Sequence, residues 1–82
     1  MYAIITTTPK EILAEKRDVR RQRLIITNDV TSANVVWISF GSQNKEDAFP
    51  LFPSETYIEE VNPTQKAIYA YSEGSSYIYF IE

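Results

Sequence analysis

From position 20 onward, apolar and polar residues alternate with a period of two, the spacing that sends successive side chains to opposite faces of a strand. Arg23-Leu24-Ile25-Ile26-Thr27 is β-branched and stops at the turn pair Asn28-Asp29; the strand reading extends back to Arg20. Ala33 to Phe40 is the strongest strand signal, with Val36, Ile38 and Phe40 on one face and Val35, Trp37 and Ser39 on the other. Gly41-Ser42-Gln43-Asn44 ends it, and Lys45 to Asp47 reads as a polar loop. Prolines at 50 and 53 exclude a helix around Leu51–Glu55 and set Pro53 second in a turn. Thr56 to Val61 is a weaker strand, closed by Asn62-Pro63-Thr64. Lys66–Ser72 and Tyr77–Ile81 are two more strands, which Glu73-Gly74-Ser75-Ser76 joins as a hairpin.

The first 22 residues read two ways. Thr8-Pro9-Lys10-Glu11 has the form of a helix start, and Lys10 to Arg23 is rich in helix formers. Yet Ile12, Leu13 and Val19 make no continuous stripe, so such a helix would bury little. A short strand near Lys10–Ala14 followed by a charged loop is the preferred reading, with Tyr2–Thr7 as a first strand or an extended arm. Turn signals about every 8–12 residues with period-two patterning predict an all-β fold. The expected architecture is a small antiparallel β-sandwich or barrel of about seven short strands in one domain, with residues 1–19 as a candidate N-terminal arm.

Composition narrows the chemistry. The 82 residues suffice for one domain, and a 44% hydrophobic share with 23% charge is that of an ordered chain. Cysteine and histidine are both absent, which removes disulfides, thiol nucleophiles, soft-ligand zinc sites and the usual general base. Two glycines cannot build a glycine-rich phosphate loop. The expectation is therefore a non-enzyme with no catalytic, cofactor or metal site. No apolar run nears the roughly 20 residues of a membrane span, and Met1–Thr6 lacks the basic start of a signal peptide, so no membrane partner is expected.

Charge is unevenly placed. Residues 1–30 carry six basic groups against four acids, whereas residues 31–82 carry two against seven. The cluster Arg17, Arg20, Arg21 and Arg23 suits bidentate pairing with a neighbouring subunit's carboxylates; a solvated edge is the plain alternative. A pI near 4.9 makes nucleic acid an unlikely partner. Adjacent Glu59 and Glu60 point to opposite faces of a strand, so a glycosidase-like pair would need Glu55, Glu59 or Glu73 to meet after folding. Asn44-Lys45-Glu46-Asp47 lacks the spacing of a calcium loop.

The tyrosines are the most informative feature. If Ile68, Ala70, Ile78 and Phe80 face the core, then Tyr69, Tyr71, Tyr77, Tyr79 and Ile81 share the opposite face of one hairpin. A patch of that size is unusual on a lone monomer and marks a contact surface, to which Trp37 is added as a further candidate. Coverage by the N-terminal segment and sugar stacking are the competing readings. A terminal strand Tyr77–Ile81 left at a sheet edge would also be prone to pairing with another chain.

Arg20-Arg21-x-x-Leu24-x-Ile26-x-Asn28, then Val36-x-Ile38-x-Phe40-Gly41, Leu51-x-Pro53-Ser54-Glu55-x-Tyr57, and Ala67-Ile68-Tyr69-Ala70 before a final hairpin resemble small β-sandwich virion proteins of tailed bacteriophages. These are capsid decoration (cement) proteins or head and tail accessory proteins. The resemblance spans roughly residues 20–82. The family-like turn carries glycine after its proline where this chain has Ser54, which favours a type I turn. The resemblance implies a structural, non-enzymatic virion protein that is assembled in the host cytoplasm and homo-oligomeric. Its implied partners are the major capsid protein or other virion proteins. A carbohydrate or host-attachment module is the alternative.

Overall fold

The computed structural model describes residues 1–82 as an all-β fold of eight strands in two antiparallel four-stranded sheets, with no α-helix. In chain order the strands are β1 (Tyr2–Ile5), β2 (Lys10–Leu13), β3 (Leu24–Asn28), β4 (Val36–Phe40), β5 (Phe49–Leu51), β6 (Thr56–Glu59), β7 (Ile68–Ser72) and β8 (Ser76–Ile81). Sheet A runs β1-β8-β3-β6 and sheet B runs β2-β7-β4-β5. The shortest dimension, 18 Å, is that of two stacked layers.

One core lies between the sheets. Ile5, Leu24, Ile26, Ile78 and Phe80 from sheet A meet Leu13, Val36, Ile38, Leu51, Ile68 and Ala70 from sheet B. Period-two alternation produces this directly: β3 reads Leu24, Ile26 and Asn28 inward, and β8 reads Ser76, Ile78 and Phe80 inward. At one end Phe40, Phe49 and Tyr57 close the sandwich as an aromatic trio with ring centroids 5.1–5.8 Å apart. Tyr57 donates its hydroxyl to Glu59 Oε2 at 2.8 Å. Burial, then the hydrogen bond and the negative charge of Glu59, push this phenol up to about 12.

The N-terminal segment is a strand of the sandwich. β1 pairs with β8 from Tyr2↔Tyr79 to Ile5↔Ser76, and the ladder runs on to Met1, whose carbonyl accepts from Phe80 N–H at 2.9 Å. β8 is therefore a central strand of sheet A, between β1 and β3, so the hazard of a terminal strand left open at an edge does not arise. β2 matches the short strand read at Lys10–Ala14.

Several boundaries differ from the sequence reading. β3 starts at Leu24 because Arg21 leaves the ladder: its N–H goes to the Gln65 side chain. β4 starts at Val36, and the sixth and seventh strands are shorter than Thr56–Val61 and Lys66–Ser72. β5 was hidden by its proline. Pro50 sits opposite Trp37 on an edge strand, where its missing N–H costs no ladder bond.

The turn at Phe52–Glu55 is not type I. Ser54 has φ 68° and Glu55 N–H donates to Phe52 O at 3.0 Å. With φ of Pro53 fixed negative by its ring, positive φ at the next residue makes this a type II turn. Ser54 occupies the glycine position without the glycine. Its own N–H is anchored on Asn28 O at 2.8 Å, and the Glu55 side chain accepts from Phe52 N–H at 2.7 Å.

Candidate protein-binding surface

The final two strands are not a hairpin. β7 belongs to sheet B and β8 to sheet A, so residues 73–75 arch from one layer to the other. At the arch the buried Ser72 and Ser76 bring their hydroxyl oxygens to 3.0 Å of each other. Ser72 Oγ also donates to Val35 O, and Ser72 N–H donates to Thr6 O. Two facing inward serines are stable here because each finds a partner. Gly74 fits against Asn34, whose Nδ2 would lie 2.8 Å from an added Cβ.

The arch divides the expected tyrosine face. Ile68, Ala70, Ile78 and Phe80 are in the core, but Tyr69 and Tyr71 look out from sheet B while Tyr77, Tyr79 and Ile81 look out from sheet A. The candidates thus lie on opposite sides of the molecule.

On sheet B, Trp37 stacks on Tyr71 with ring centroids 6.3 Å apart and planes 13° apart. Lys45 Nζ lies 4.7 Å from the Tyr71 ring centroid, a cation–π contact from the 3₁₀ turn at Lys45–Asp47. Trp37, Tyr69 and Tyr71 are all half-buried. The largest surface depression, about 360 Å³, opens beside Tyr69 and is lined by Glu15, Phe40, Gly41, Lys66 and Ala67.

Sheet A presents a different surface. Its register aligns Tyr2, Tyr79, Thr27 and Thr56 in one row across all four strands. Ile81, Ile25 and Ile58 form the row on one side, and Ile4 and Tyr77 the row on the other. Tyr2 is 63% exposed, Tyr79 51% and Ile58 53%. β1 does not cover this face, as a covering arm would; it widens it with Tyr2 and Ile4. Asp29, which follows β3 and whose N–H donates to Tyr77 O at 2.9 Å, ends the third row with a carboxylate that accepts from Thr31 Oγ1; no other charge stands in the three rows. The pattern that hid this surface is the long-range pairing of β1 and β6 with β8 and β3, which no local alternation encodes.

The arginines do not form one patch. Arg21 is a structural clamp with a fully buried guanidinium: Nε meets Glu82 Oε2 at 3.0 Å, Nη1 donates to Thr64 O and Lys66 O, and Nη2 donates to Ala14 O at 3.1 Å. The expected contact role of Arg21 is thereby replaced by a role in the fold. Lys16 Nζ binds the other Glu82 oxygen at 2.9 Å. Burial pushes the Glu82 carboxyl up, but the hydrogen bonds and charges of Lys16 and Arg21 outweigh it and hold its pKa below the usual 4.5. Arg17 pairs with Glu15 on an exposed loop, and Arg20 and Arg23 are exposed outside any strand.

The acids are used locally. Both Glu59 oxygens are bonded, to Tyr57 Oη and Thr64 N–H, and Glu55 holds the Phe52 turn. Asn28, fully buried, donates from Nδ2 to Asn34 O at 3.0 Å and Leu51 O at 2.8 Å, so it ties sheet A to the loop before β4 and to β5 of sheet B.

No known family pattern, curated protein or solved structure matches this chain.

Proposed function

We propose that this chain is a non-enzymatic adhesive subunit, and that its setting is the one its sequence resembles: a tailed-phage virion, in which it decorates the shell and holds neighbouring capsid subunits together. The observation that carries this reading is the outer face of sheet A, where seven large apolar side chains lie in adjoining rows with a single charge, Asp29, at the rim. Their exposed surface is on the order of 600 Å², at the upper end of what a typical monomer leaves open to water. A sheet face of this kind becomes stable against water when another polypeptide covers it. Many identical attachments on a symmetric shell would add avidity to each single contact.

Sugar stacking is the competing use of the aromatic residues. The stacked Trp37–Tyr71 pair is the flattest platform for it, but its Tyr71 ring is already flanked by Trp37 and Lys45 of the same chain, and the exposed Tyr2–Tyr79 rings are tilted 47° to each other. That favours the protein-binding reading.

The test is cosedimentation of the pure protein with purified tailed-phage heads, scored by copies bound at saturation. The expected result is saturable binding at a fixed ratio to capsid subunits, lost in a Tyr79→Arg variant that keeps its circular dichroism. A protein that leaves every head preparation undecorated contradicts the virion setting.

A further inference from the structure

We infer that the outer face of sheet A is closed by a second copy of the same chain, giving a two-fold dimer in which the two A sheets stack face to face. The inference rests on the proposed adhesive role and adds the identity of one partner.

Three features of the face select a copy of itself. The first is area. A standard interface covers roughly 800 Å² on each partner, and the apolar rows with their bordering threonines come close to that without recruiting another surface. The second is charge. A two-fold contact sets a patch against the same patch, so a charged side chain on its axis meets its own sign. The chain carries net charge −3, with 19 charged residues among 82, yet the three rows hold only Asp29, at the rim beside Tyr77 and already bonded to Thr31 Oγ1. The third is the kind of polar group present. Inside that rim the polar side-chain groups are the hydroxyls of tyrosine and threonine, with Thr27 Oγ1 and Thr56 Oγ1 2.9 Å apart. A hydroxyl both donates and accepts, so it can satisfy an identical hydroxyl across a two-fold axis; a guanidinium or a carboxylate cannot.

The four strands give an antiparallel layer, and such layers stack at about 10 Å on another sheet with strands near −30°. The dimer would be a four-layer sandwich, with the Trp37–Tyr71 sides of both copies facing outward and left to meet the shell, so that Tyr79→Arg would cost head binding through loss of the dimer. Because no ion pair lies at its centre, its stability should not fall as salt rises, in contrast to a contact built on arginine–carboxylate pairs.

Sedimentation equilibrium over a hundredfold concentration range tests this, with the pure full chain. The expected result is a reversible dimer of twice the chain mass, equally strong or stronger in high salt. The Tyr79→Arg/Ile58→Arg double variant changes two exposed side chains and should fold as the wild type does by circular dichroism. Its dimer should weaken by at least about a hundredfold, since it would bury unpaired charge at the contact. Val61→Arg, on an 84% exposed side chain outside the face, should leave the dimer intact. A wild-type chain that stays monomeric, or a dimer that survives the double substitution, overturns the inference. A monomer that still binds phage heads through this face does so while leaving the proposed function standing. A dimer that binds no head supports the inference and removes the virion setting.

Discussion

Arg21 is the residue whose chemistry and position most depend on each other. A buried guanidinium is tolerated only when its donors are met, and here one carboxylate and three backbone carbonyls from three separate segments meet them. The loop after β2, the segment after β6 and the end of β8 are thereby held at one point. Lysine supplies the charge but not the planar fork, so Arg21→Lys should destabilise the fold by about 2–4 kcal/mol in urea unfolding, whereas Arg20→Ala should stay within about 0.5. The same clamp sets a pH dependence. The Glu82 pKa is depressed in the folded state, so its contribution is present above 4.5 and is lost as pH falls through the lower folded value. Wild-type stability should therefore drop on acidification below that point, and Glu82→Gln should remove that component of the slope.

At the scale of elements, alternation told which side chains point inward and left open which layer they point from. Ile68, Ala70, Ile78 and Phe80 face the core whether the last two strands form a hairpin or an arch, because both arrangements give the same inward set. Only the outward residues differ: a hairpin gathers Tyr69, Tyr71, Tyr77 and Tyr79 on one face, and an arch sends them to opposite faces. The local sign of the arch was the pair of serines at inward positions 72 and 76, whose hydroxyls meet where a hairpin would continue its ladder. Arg21 was misread for a related reason: its partners come from residues 14, 64, 66 and 82, which have no fixed spacing in sequence. The Pro53–Ser54 turn shows a local preference overridden. Serine is held at φ 68° by the bonds on either side of it, at a conformational cost that glycine would not bear. Ser54→Gly should raise stability by about 0.5–1 kcal/mol, read as a higher urea midpoint at unchanged slope.

For the whole molecule, the sandwich has two unlike outer surfaces. Sheet B carries aromatic rings half-buried among their neighbours and a lysine of the same chain. Sheet A carries its apolar rows open to water, and β1 lies alongside them, not over them. The fold class and the core were legible in period-two patterning. The surface that matters was not, since it is assembled from β1, β8, β3 and β6, strands far apart in the chain. Hydroxyl-radical footprinting reads that surface residue by residue, in the dilute protein, in the concentrated protein and on phage heads. The account predicts that Tyr2, Tyr79 and Ile58 become protected on association while the exposed Val61 does not. Equal reactivity of Tyr2, Tyr79 and Ile58 under all three conditions would contradict it.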